Sequence, residues 1–415
     1  MYARRALPRR RPVLPAALVA LVFVLVGAAP ASAVDRAGLR TTLAKLHARL
    51  GSSAGAYVVD LGTEQPLYAH RENLALAPAS NEKLFVTAAA LLRFGADGTL
   101  TTTLEPAPGA TIDADGVLHG DLYLVGGGDP TLGDPGLEDL ARQLADAGIT
   151  RIDGAIRGDE SFFDALRGGP DSGWRPDYDL GGWLSALAWR HGRATPGGPA
   201  LAAATRLAAL VKADDITYAL KPRTGTLTVP FGAAQAPQPL ATLSSPPMRS
   251  LIAATNVPSE NFYAEMLAKA LGARFGAGGS TSAGLAVVGD QLGTFGVHPR
   301  LVDGSGLARS NRTTARQVVR LLDRMQAQDQ ASSWLASLPV AGKTGTLRKR
   351  MRRTAAAGRC RAKTGTLIGV SALSGYCTTT GGDNVAFSFL ENRVCSSCAK
   401  NVEDRMVAAI AKLDG

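Results

Sequence analysis

The stretch PASNEKL, residues 78–84, decides how the rest of this chain is interpreted. It contains Ser80 and Lys83 in an S-x-x-K arrangement, and the apolar spacing that follows predicts a helix from Ser80 to Gly95. One turn of that helix places the Lys83 amine beside the Ser80 hydroxyl. A lysine with a lowered pKa can take the proton of a serine, which is otherwise a poor nucleophile. The stretch therefore predicts a serine nucleophile that is activated without histidine.

Two companion motifs support this interpretation. Such support is needed because an S-x-x-K also occurs by chance at residues 397–400. Ser259-Glu260-Asn261 is the only S-x-N in the chain, and K-T-G occurs at residues 343–345 and 363–365. A lysine and a threonine on a strand can bind a carboxylate through charge and hydroxyl. The glycine leaves room for a substrate along the strand edge.

We take the second copy, Lys363-Thr364-Gly365, as the functional K-T-G. It opens a predicted hairpin in which residues 362–367 and 370–376 pair across a turn at 368–369. The first copy runs into the basic stretch Arg348–Arg353, which predicts a solvated loop.

The four cysteines allow three disulfide connectivities, and the same hairpin favours one of them. Cys360 and Cys377 are equidistant from the predicted turn, so they would face each other across it. This leaves Cys395 and Cys398 as a C-x-x-C pair. A zinc site is the alternative, but it needs four clustered ligands and the five histidines are scattered. We therefore expect two disulfides and no metal.

The composition is that of a globular protein. The 415 residues are 46% apolar and 19% charged, which excludes a disordered chain, a collagen-like repeat and a disulfide-stapled miniprotein. The formal net charge of +10 would suit a protein that binds nucleic acid, but five of the arginines lie within residues 4–11. An apolar run over 13–28 follows, with small residues at Ala31 and Ala33, which is the pattern of a secretory leader.

We therefore expect residues 1–33 to be a signal peptide that is cleaved after about Ala33, and the mature protein to act in the periplasm, the cell envelope or the medium. Without the leader the net charge is +5, which suits a protein that works at an anionic cell wall. We therefore expect no binding to nucleic acid. The alternative is an uncleaved membrane anchor. Its apolar run of about 16 residues is shorter than the roughly 20 that cross a bilayer.

The order of predicted elements indicates an α/β fold with an insertion. A helix over 35–50 precedes the S-x-x-K helix, and from about Leu100 strand-like runs alternate with Gly/Pro turns. Helices then return and flank the strands of the C-terminal hairpin. We expect an antiparallel sheet flanked by helices in a catalytic domain formed by residues 34–98 and 246–415, and a mixed insertion domain over 99–245.

No other catalytic or cofactor motif stands out. The chain lacks a G-x-S-x-G elbow and an H-E-x-x-H metal site. The glycines at 126–128 lack dinucleotide-binding spacing, and residues 342–344 lack the upstream glycine of a phosphate loop. His47 and His70 are expected to be surface residues rather than catalysts. We therefore predict no cofactor.

Four stretches of the chain resemble one family. They are PASNEKL (78–84), DLYLVGGGDPTL (121–132), DGSGL (303–307) and RAKTGTL (361–367). With the three motifs in this order, the chain resembles the D-alanyl-D-alanine carboxypeptidase/endopeptidase family, the class C low-molecular-mass penicillin-binding proteins. The resemblance extends from about Leu39 to the C-terminus. It implies a transpeptidase-like domain of the serine β-lactamase and penicillin-binding type, split between the first and second motifs.

The resemblance also implies a role for each catalytic residue. Ser80 would be the acylated nucleophile and Lys83 its base. Ser259 would pass the proton to the leaving amine. The backbone N–H groups of Ser80 and Thr366 would form the oxyanion hole.

The substrate-binding residues follow from the same resemblance. Asn261 would hold the substrate amide, while Lys363 and Thr364 would grip the terminal carboxylate. By looser analogy, Asp159 and Arg350 would line the pocket for the side chain of the peptide's diamino acid.

The implied partners are peptidoglycan stem peptides ending in D-Ala-D-Ala, with β-lactam antibiotics as inhibitors. Cleavage of D-amino-acid cross-links would use the same site. A serine β-lactamase is the first alternative, but it would need a dedicated deacylating base, and no E-x-x-x-N segment stands out after the second motif. A non-catalytic cell-wall or β-lactam-binding protein is the second, and the complete motif set argues against it.

Three features depart from the family pattern. The second motif is S-E-N rather than S-D-N, and Glu260 is expected to point away from the site. The first K-T-G stands where relatives have a D-G-containing stretch, so Lys343 is not expected to form a second site. Residues 180–213 match poorly and look shortened, which leaves open whether the third, nested domain of larger relatives is present.

Overall fold

The structure is a computed structural model, and it describes residues 34–192, 196–228 and 238–414. The predicted signal peptide over 1–33 lies outside the described residues. The strands are β1 (Ala54–Asp60), β2 (Gln65–His70), β3 (Thr101–Pro106), β4 (Thr111–Ile112), β5 (Val117–His119), β6 (Leu122–Val125), β7 (Arg151–Asp159), β8 (Thr217–Thr224), β9 (Ala241–Ser244), β10 (Cys360–Leu367), β11 (Val370–Thr378) and β12 (Asn384–Asn392).

The helices begin just after the predicted leader and end near the C-terminus. They are α1 (Arg36–His47), α2 (Lys83–Phe94), α3 (Asp134–Asp146), α4 (Trp189–Gly192), α5 (Gly198–Ala213), α6 (Met248–Asn256), α7 (Asn261–Phe275), α8 (Thr281–Gly293), α9 (Ala315–Gln326), α10 (Ala331–Ala336) and α11 (Ser396–Ile410). Short 3₁₀ turns cover Ala48–Leu50, Ala79–Glu82, Pro170–Ser172 and Gly345–Leu347.

A five-stranded antiparallel sheet joins the N-terminal and C-terminal parts of the chain, in the order β10-β11-β12-β1-β2. Every residue of β1 is buried, because helices cover both faces of the sheet. Val58 packs with α1 and α11 on one face, through Leu39 and Met406. Its neighbours Tyr57 and Val59 point the other way, into the core that contains α2, α7 and α9. This is the predicted antiparallel sheet flanked by helices.

The C-terminal hairpin is formed as predicted. Strands β10 and β11 pair from Cys360↔Cys377 to Leu367↔Val370, so the turn is at residues 368–369. Cys360 and Cys377 form one disulfide and Cys395 and Cys398 form the other, which confirms the expected connectivity.

A mixed seven-stranded sheet lies between the first and second motifs. Strand β7 pairs in parallel with β6 and β8, whereas β3 pairs antiparallel with β6 and β9. Helices α3 and α5 pack on it through an apolar cluster that includes Leu140 and Leu207. The described residues of the stretch 180–213 contain α4 and α5. Domain boundaries at 98/99 and 245/246 stay a prediction.

Two helices of the main core carry the motif residues at their N-terminal ends. The residues from Lys83 to Leu91 in α2 are all buried, and so are those from Ala264 to Gly272 in α7. A helix that is buried all round is held by packing on every side, so its end residues are rigidly placed. The predicted helix from Ser80 begins with a 3₁₀ turn that continues into α2.

One sequence-based expectation about the histidines is wrong. His47 is 1% exposed rather than a surface residue, because it lies in the last turn of α1 facing the sheet. Its ring lies 4.6 Å from the ring of His70. Burial, followed by the charges of His70 and Arg71, lowers the pKa of His47 to about 4.

Candidate active site

The S-x-x-K pair is preorganised at the start of α2. Lys83 Nζ donates a hydrogen bond of 3.0 Å to Ser80 Oγ, as the motif spacing predicts. The backbone before Ser80 is held in place, because the Asn392 side chain exchanges two hydrogen bonds with the main chain of Ala77. Ala79 has a φ of +47°, a conformation that is strained for a residue with a Cβ. Ser80 stays partly exposed while Lys83 is fully buried.

The Lys83 amine has two further acceptors. It donates to Asn261 Oδ1 at 2.7 Å and to the Ser305 carbonyl at 2.5 Å. Burial lowers the pKa of Lys83 to about 8, against the opposing charges of nearby carboxylates that favour the ammonium form. A lysine with this pKa is partly neutral near pH 7, so it can accept a proton from Ser80.

The S-x-N motif forms the turn between α6 and α7. Ser259 has a φ of +70°, in the left-handed region that glycine favours. This strained conformation lies in the turn that joins two buried helices. Asn261 is the first residue of α7, which directs its amide toward Lys83.

The K-T-G motif lies on β10, at the edge of the sheet. Lys363 Nζ donates to Ser259 Oγ at 2.7 Å and to the Thr364 carbonyl at 2.8 Å. Burial, and then the charge of Lys83, hold the pKa of Lys363 well below its usual range. A Cβ at Gly365 would lie 2.6 Å from the Pro78 carbonyl, so only glycine allows β10 this close to the chain before Ser80.

Side-chain hydrogen bonds join five of the predicted site residues into two groups, one around Lys83 and one around Lys363. They are Ser80, Lys83, Ser259, Asn261 and Lys363. Thr364 lies beside them, and its hydroxyl donates to Thr346 Oγ1 at 2.8 Å. Thr366 is exposed on the same strand, opposite Ser371. A nucleophile next to a buried amine base, with a second buried amine and an open strand edge, is an arrangement suited to acyl transfer on an anionic substrate.

Two predicted pocket residues make contacts outside the hydrogen-bonded cluster. Arg350 points inward rather than into solvent, because its guanidinium pairs with Glu403 at 2.7 Å and Asp404 at 2.8 Å on α11. Asp159, at the end of β7, accepts hydrogen bonds from the backbone N–H groups of Ser161 and Leu227. Within the described part of the chain, neither side chain has a hydrogen bond to the cluster around Ser80.

The first K-T-G copy lies beside the site without contributing its lysine. Lys343 is exposed, whereas Thr346, just after the motif, contacts Thr364. A Cβ at Gly345 would lie 2.2 Å from the Val257 carbonyl, so this turn packs closely on the chain before Ser259.

Sequence reasoning missed several neighbours of the cluster. The Asp179 carbonyl accepts a hydrogen bond of 2.7 Å from Asn261 Nδ2, although Asp179 lies 82 positions earlier in the sequence. Ser305 belongs to the DGSGL stretch, for which the sequence predicted no contact with Lys83. Glu265 lies one turn after Asn261, among the apolar residues of the first half of α7. A charged residue at an apolar position of a helix is the sequence signal for Glu265.

The described residues contain no group of three or more His, Cys, Asp or Glu side chains arranged to hold a metal ion.

Comparisons with known proteins agree with the geometry. A model of the D-Ala-D-Ala carboxypeptidase 3 (S13) family matches residues 36–181 and 201–413. The D-alanyl-D-alanine carboxypeptidase of Actinomadura sp. (strain R39) is 33% identical, over 95% of this chain and 89% of the relative.

Solved structures share the fold. Penicillin binding protein 4 (dacB) of Haemophilus influenzae matches with a TM-score of 0.75 at 20% identity, over 89% of this chain and 99% of that one. The same protein complexed with a novel β-lactam matches with a TM-score of 0.71 at 22% identity, over the same shares of the two chains. These matches confirm the predicted fold class. Since the family model matches most of the residues and the Actinomadura relative aligns along nearly the whole length, the chain belongs to the D-Ala-D-Ala carboxypeptidase 3 (S13) family.

Proposed function

We propose that the protein hydrolyses peptides ending in D-Ala-D-Ala through an acyl-enzyme on Ser80. Ser80 Oγ attacks the carbonyl carbon of the penultimate D-Ala while Lys83 Nζ takes the hydroxyl proton. The oxyanion that forms is stabilised by the backbone N–H groups of Ser80 and Thr366. When the C–N bond breaks, the terminal D-Ala leaves as an amine, and water then releases the acyl group from Ser80.

The observation that carries this proposal is the position of the Lys83 amine. It lies 3.0 Å from Ser80 Oγ and 2.7 Å from Asn261 Oδ1, so it is aligned between the nucleophile and the S-x-N motif. Its pKa of about 8 makes the neutral form available near physiological pH. A structural lysine in a solvated ion pair would have neither feature.

The second pair, Lys363 and Ser259, supports the departure of the leaving group. Their 2.7 Å hydrogen bond connects the carboxylate-binding strand to the hydroxyl that would protonate the departing amine. The leaving D-Ala carries both groups that this pair would meet, an amine and a carboxylate. Binding that carboxylate stabilises the ammonium form of Lys363, whose buried amine has no acid partner among its hydrogen-bond acceptors in the described residues.

The substrate class follows from the family and its relatives. The Actinomadura relative is named a D-alanyl-D-alanine carboxypeptidase, and the Haemophilus protein has been solved with a β-lactam. We extend both properties to this chain: stem peptides of peptidoglycan are its substrates, β-lactams acylate Ser80, and D,D-endopeptidase cleavage of cross-links uses the same site.

The proposal includes export of the mature protein. The motif set acts on cell-wall peptides, and both cysteine pairs form disulfides, which is typical of oxidising compartments. Among the residues that the structure describes, no helix is long and apolar enough to cross a membrane. We also propose the division into a catalytic domain of residues 34–98 and 246–415 and an insertion domain over 99–245.

Fluorescent penicillin and a D-Ala-D-Ala pentapeptide test the proposal together. Wild-type protein is expected to bind the label covalently and to release D-Ala from the pentapeptide, and Ser80→Ala is expected to do neither. The matched control is Ser397→Ala, in the chance S-x-x-K, which should behave as wild type.

Each contrary outcome has its own interpretation. Undiminished labelling of Ser80→Ala would show that the nucleophile is another residue. Rapid turnover of penicillin with an intact pentapeptide would indicate a β-lactamase. Stable labelling without peptide cleavage would indicate a binding protein.

A further inference from the structure

The Ser305 carbonyl is the third partner of the Lys83 amine, and the three motifs do not explain how it is held. The 2.5 Å hydrogen bond from Lys83 Nζ to this oxygen limits where the amine can lie relative to Ser80. Ser305 belongs to the loop Asp303–Leu307, which has no regular secondary structure. A loop carbonyl can orient a base only if the loop itself is fixed.

Glu265 fixes the part of the loop that carries this carbonyl. The side chain is 1% exposed on α7, one turn after Asn261. Its Oε1 accepts hydrogen bonds from the N–H groups of Gly304 at 2.8 Å and Ser305 at 2.7 Å. Oε2 has no hydrogen-bond partner among the residues that the structure describes. One buried carboxylate oxygen therefore holds two consecutive peptide groups immediately before the carbonyl that contacts Lys83.

The rest of the loop is held by Asp303, which is also buried. Its oxygens accept from the N–H groups of Gly306 at 2.9 Å and Ala308 at 2.7 Å, and from Asn311 Nδ2 at 2.6 Å. Gly306 has a φ of +84°, and a Cβ there would lie 2.0 Å from the Ala79 carbonyl. The loop thus packs directly on the backbone before Ser80, so a displaced loop would move both the base and the nucleophile.

We propose that Glu265 is a positioning residue for the Lys83 amine, which acts through the Gly304 and Ser305 peptide groups. The inference rests on the proposed function, in which Lys83 is the base of Ser80. Glu265 does not touch the reacting atoms. Its two hydrogen bonds set the position of the Ser305 carbonyl, and its negative charge separately acts on the proton affinity of Lys83.

The effect of the Glu265 charge on the proton affinity of Lys83 depends on the other charged groups around Glu265. Asp303 and Glu82 are the neighbouring acids, and Lys83 and Lys269 are the neighbouring bases. Burial, and then the charge of Asp303, raise the pKa of Glu265 to about 7. In its ionised form Glu265 favours the ammonium form of Lys83 and so opposes the effect of burial.

Two substitutions separate the hydrogen bonds from the charge. Glu265→Gln keeps a carbonyl oxygen for the two N–H groups but removes the charge. Glu265→Asp keeps the charge but moves the acceptor away by one methylene. The measurement is the rate constant of acylation by fluorescent penicillin between about pH 5.5 and 10, which gives a plateau rate and the midpoint of the acid limb for each variant.

We expect the two variants to change different quantities. For Glu265→Gln the plateau should stay within about threefold of wild type. The midpoint should move to lower pH, because the negative charge that stabilises the ammonium form of Lys83 is removed. For Glu265→Asp the midpoint should stay, and the plateau should fall about tenfold or more, since a misplacement of about 1 Å in a catalytic group has effects of this size.

The control is Asp121→Asn, directly before β6. The Asp121 carboxylate likewise accepts hydrogen bonds, from the backbone N–H of Ala155 and from Arg157. This variant should change neither quantity. The proposal is overturned if Glu265→Asp keeps the plateau, or if Glu265→Gln leaves the midpoint in place. A purely structural role would lower the melting temperature and the fraction of protein that labels, with unchanged rate per labelled molecule. Labelling of Ser80→Ala, in contrast, would contradict the proposed function itself.

Discussion

Lys363 Nζ donates a hydrogen bond of 2.7 Å to Ser259 Oγ, and this contact joins the edge strand β10 to the strained turn between α6 and α7. Both residues come from motifs that are 104 positions apart in the chain. Burial holds the pKa of Lys363 well below its usual range. An arriving carboxylate would form an ion pair that no described residue forms with this amine.

We therefore predict that Lys363→Ala lowers the acylation rate constant for fluorescent penicillin by about 100-fold, because a preorganised group that meets substrate charge contributes on this scale. The matched control is Lys343→Ala in the exposed first K-T-G, which should remain within about twofold of wild type. A loss in Lys343→Ala with normal acylation of Lys363→Ala would reverse our choice between the two copies.

The pH dependence of acylation should follow the deprotonation of Lys83. The pKa of this lysine is lowered from 10.5 to about 8, so the neutral base is scarce below that pH and dominant above it. At pH 7 about a tenth of the molecules would carry neutral Lys83. We expect the acylation rate constant to rise about tenfold from pH 7 to its plateau. A rate that is constant between pH 6 and 9 would contradict the assignment of Lys83 as base.

The two disulfides should differ in their effect on stability. Their cysteines are separated by 17 positions in Cys360–Cys377 and by 3 in Cys395–Cys398. Loop-closure entropy predicts losses of about 3 and about 1.5 kcal/mol when each pair is replaced by alanine. Urea unfolding of the two double variants measures both. An equal loss, or a larger loss for the short loop, would show that chain entropy does not govern these bonds.

His47 should make the protein less stable at mildly acidic pH. Its pKa is about 4 in the folded state and about 6.5 in the unfolded state, so the unfolded state binds the proton more tightly between these values. The free energy of unfolding should therefore fall as the pH drops from 6.5 to 4, by up to about 3 kcal/mol from this group. In His47→Leu that part of the decline should disappear, whereas the exposed His298→Gln should decline as wild type does. The same slope in His47→Leu would show that other groups cause it.

Local patterns were sufficient to predict the first two helices, the hairpin and both disulfides. The hairpin is an example: the equal distance of Cys360 and Cys377 from the turn follows from strand pairing alone, and the structure shows this register. The spacing of Ser80 and Lys83 likewise follows from one helical turn. Such predictions succeed because period and turn position depend on neighbouring residues.

Long-range partners could not be predicted in the same way. The charge of Arg350 is paired with Glu403 and Asp404 on a helix some 50 positions later. His47 was expected at the surface, but the sheet covers it. Neither side chain carries a local signal of its partner, because packing between distant elements decides which face of a helix or loop is covered.

By itself, the sequence determined the nature of the chemistry: a serine next to a lysine, an S-x-N turn and a K-T-G strand specify the groups that an acyl-transfer site needs. Only the tertiary structure decided how these groups are tuned. The proton affinity of Lys83 depends on burial and on the carboxylates of Glu265 and Asp303, which approach it from α7 and from a separate loop. Burial and the distance between charges arise when the elements pack together, and they are the physical quantities that set a pKa.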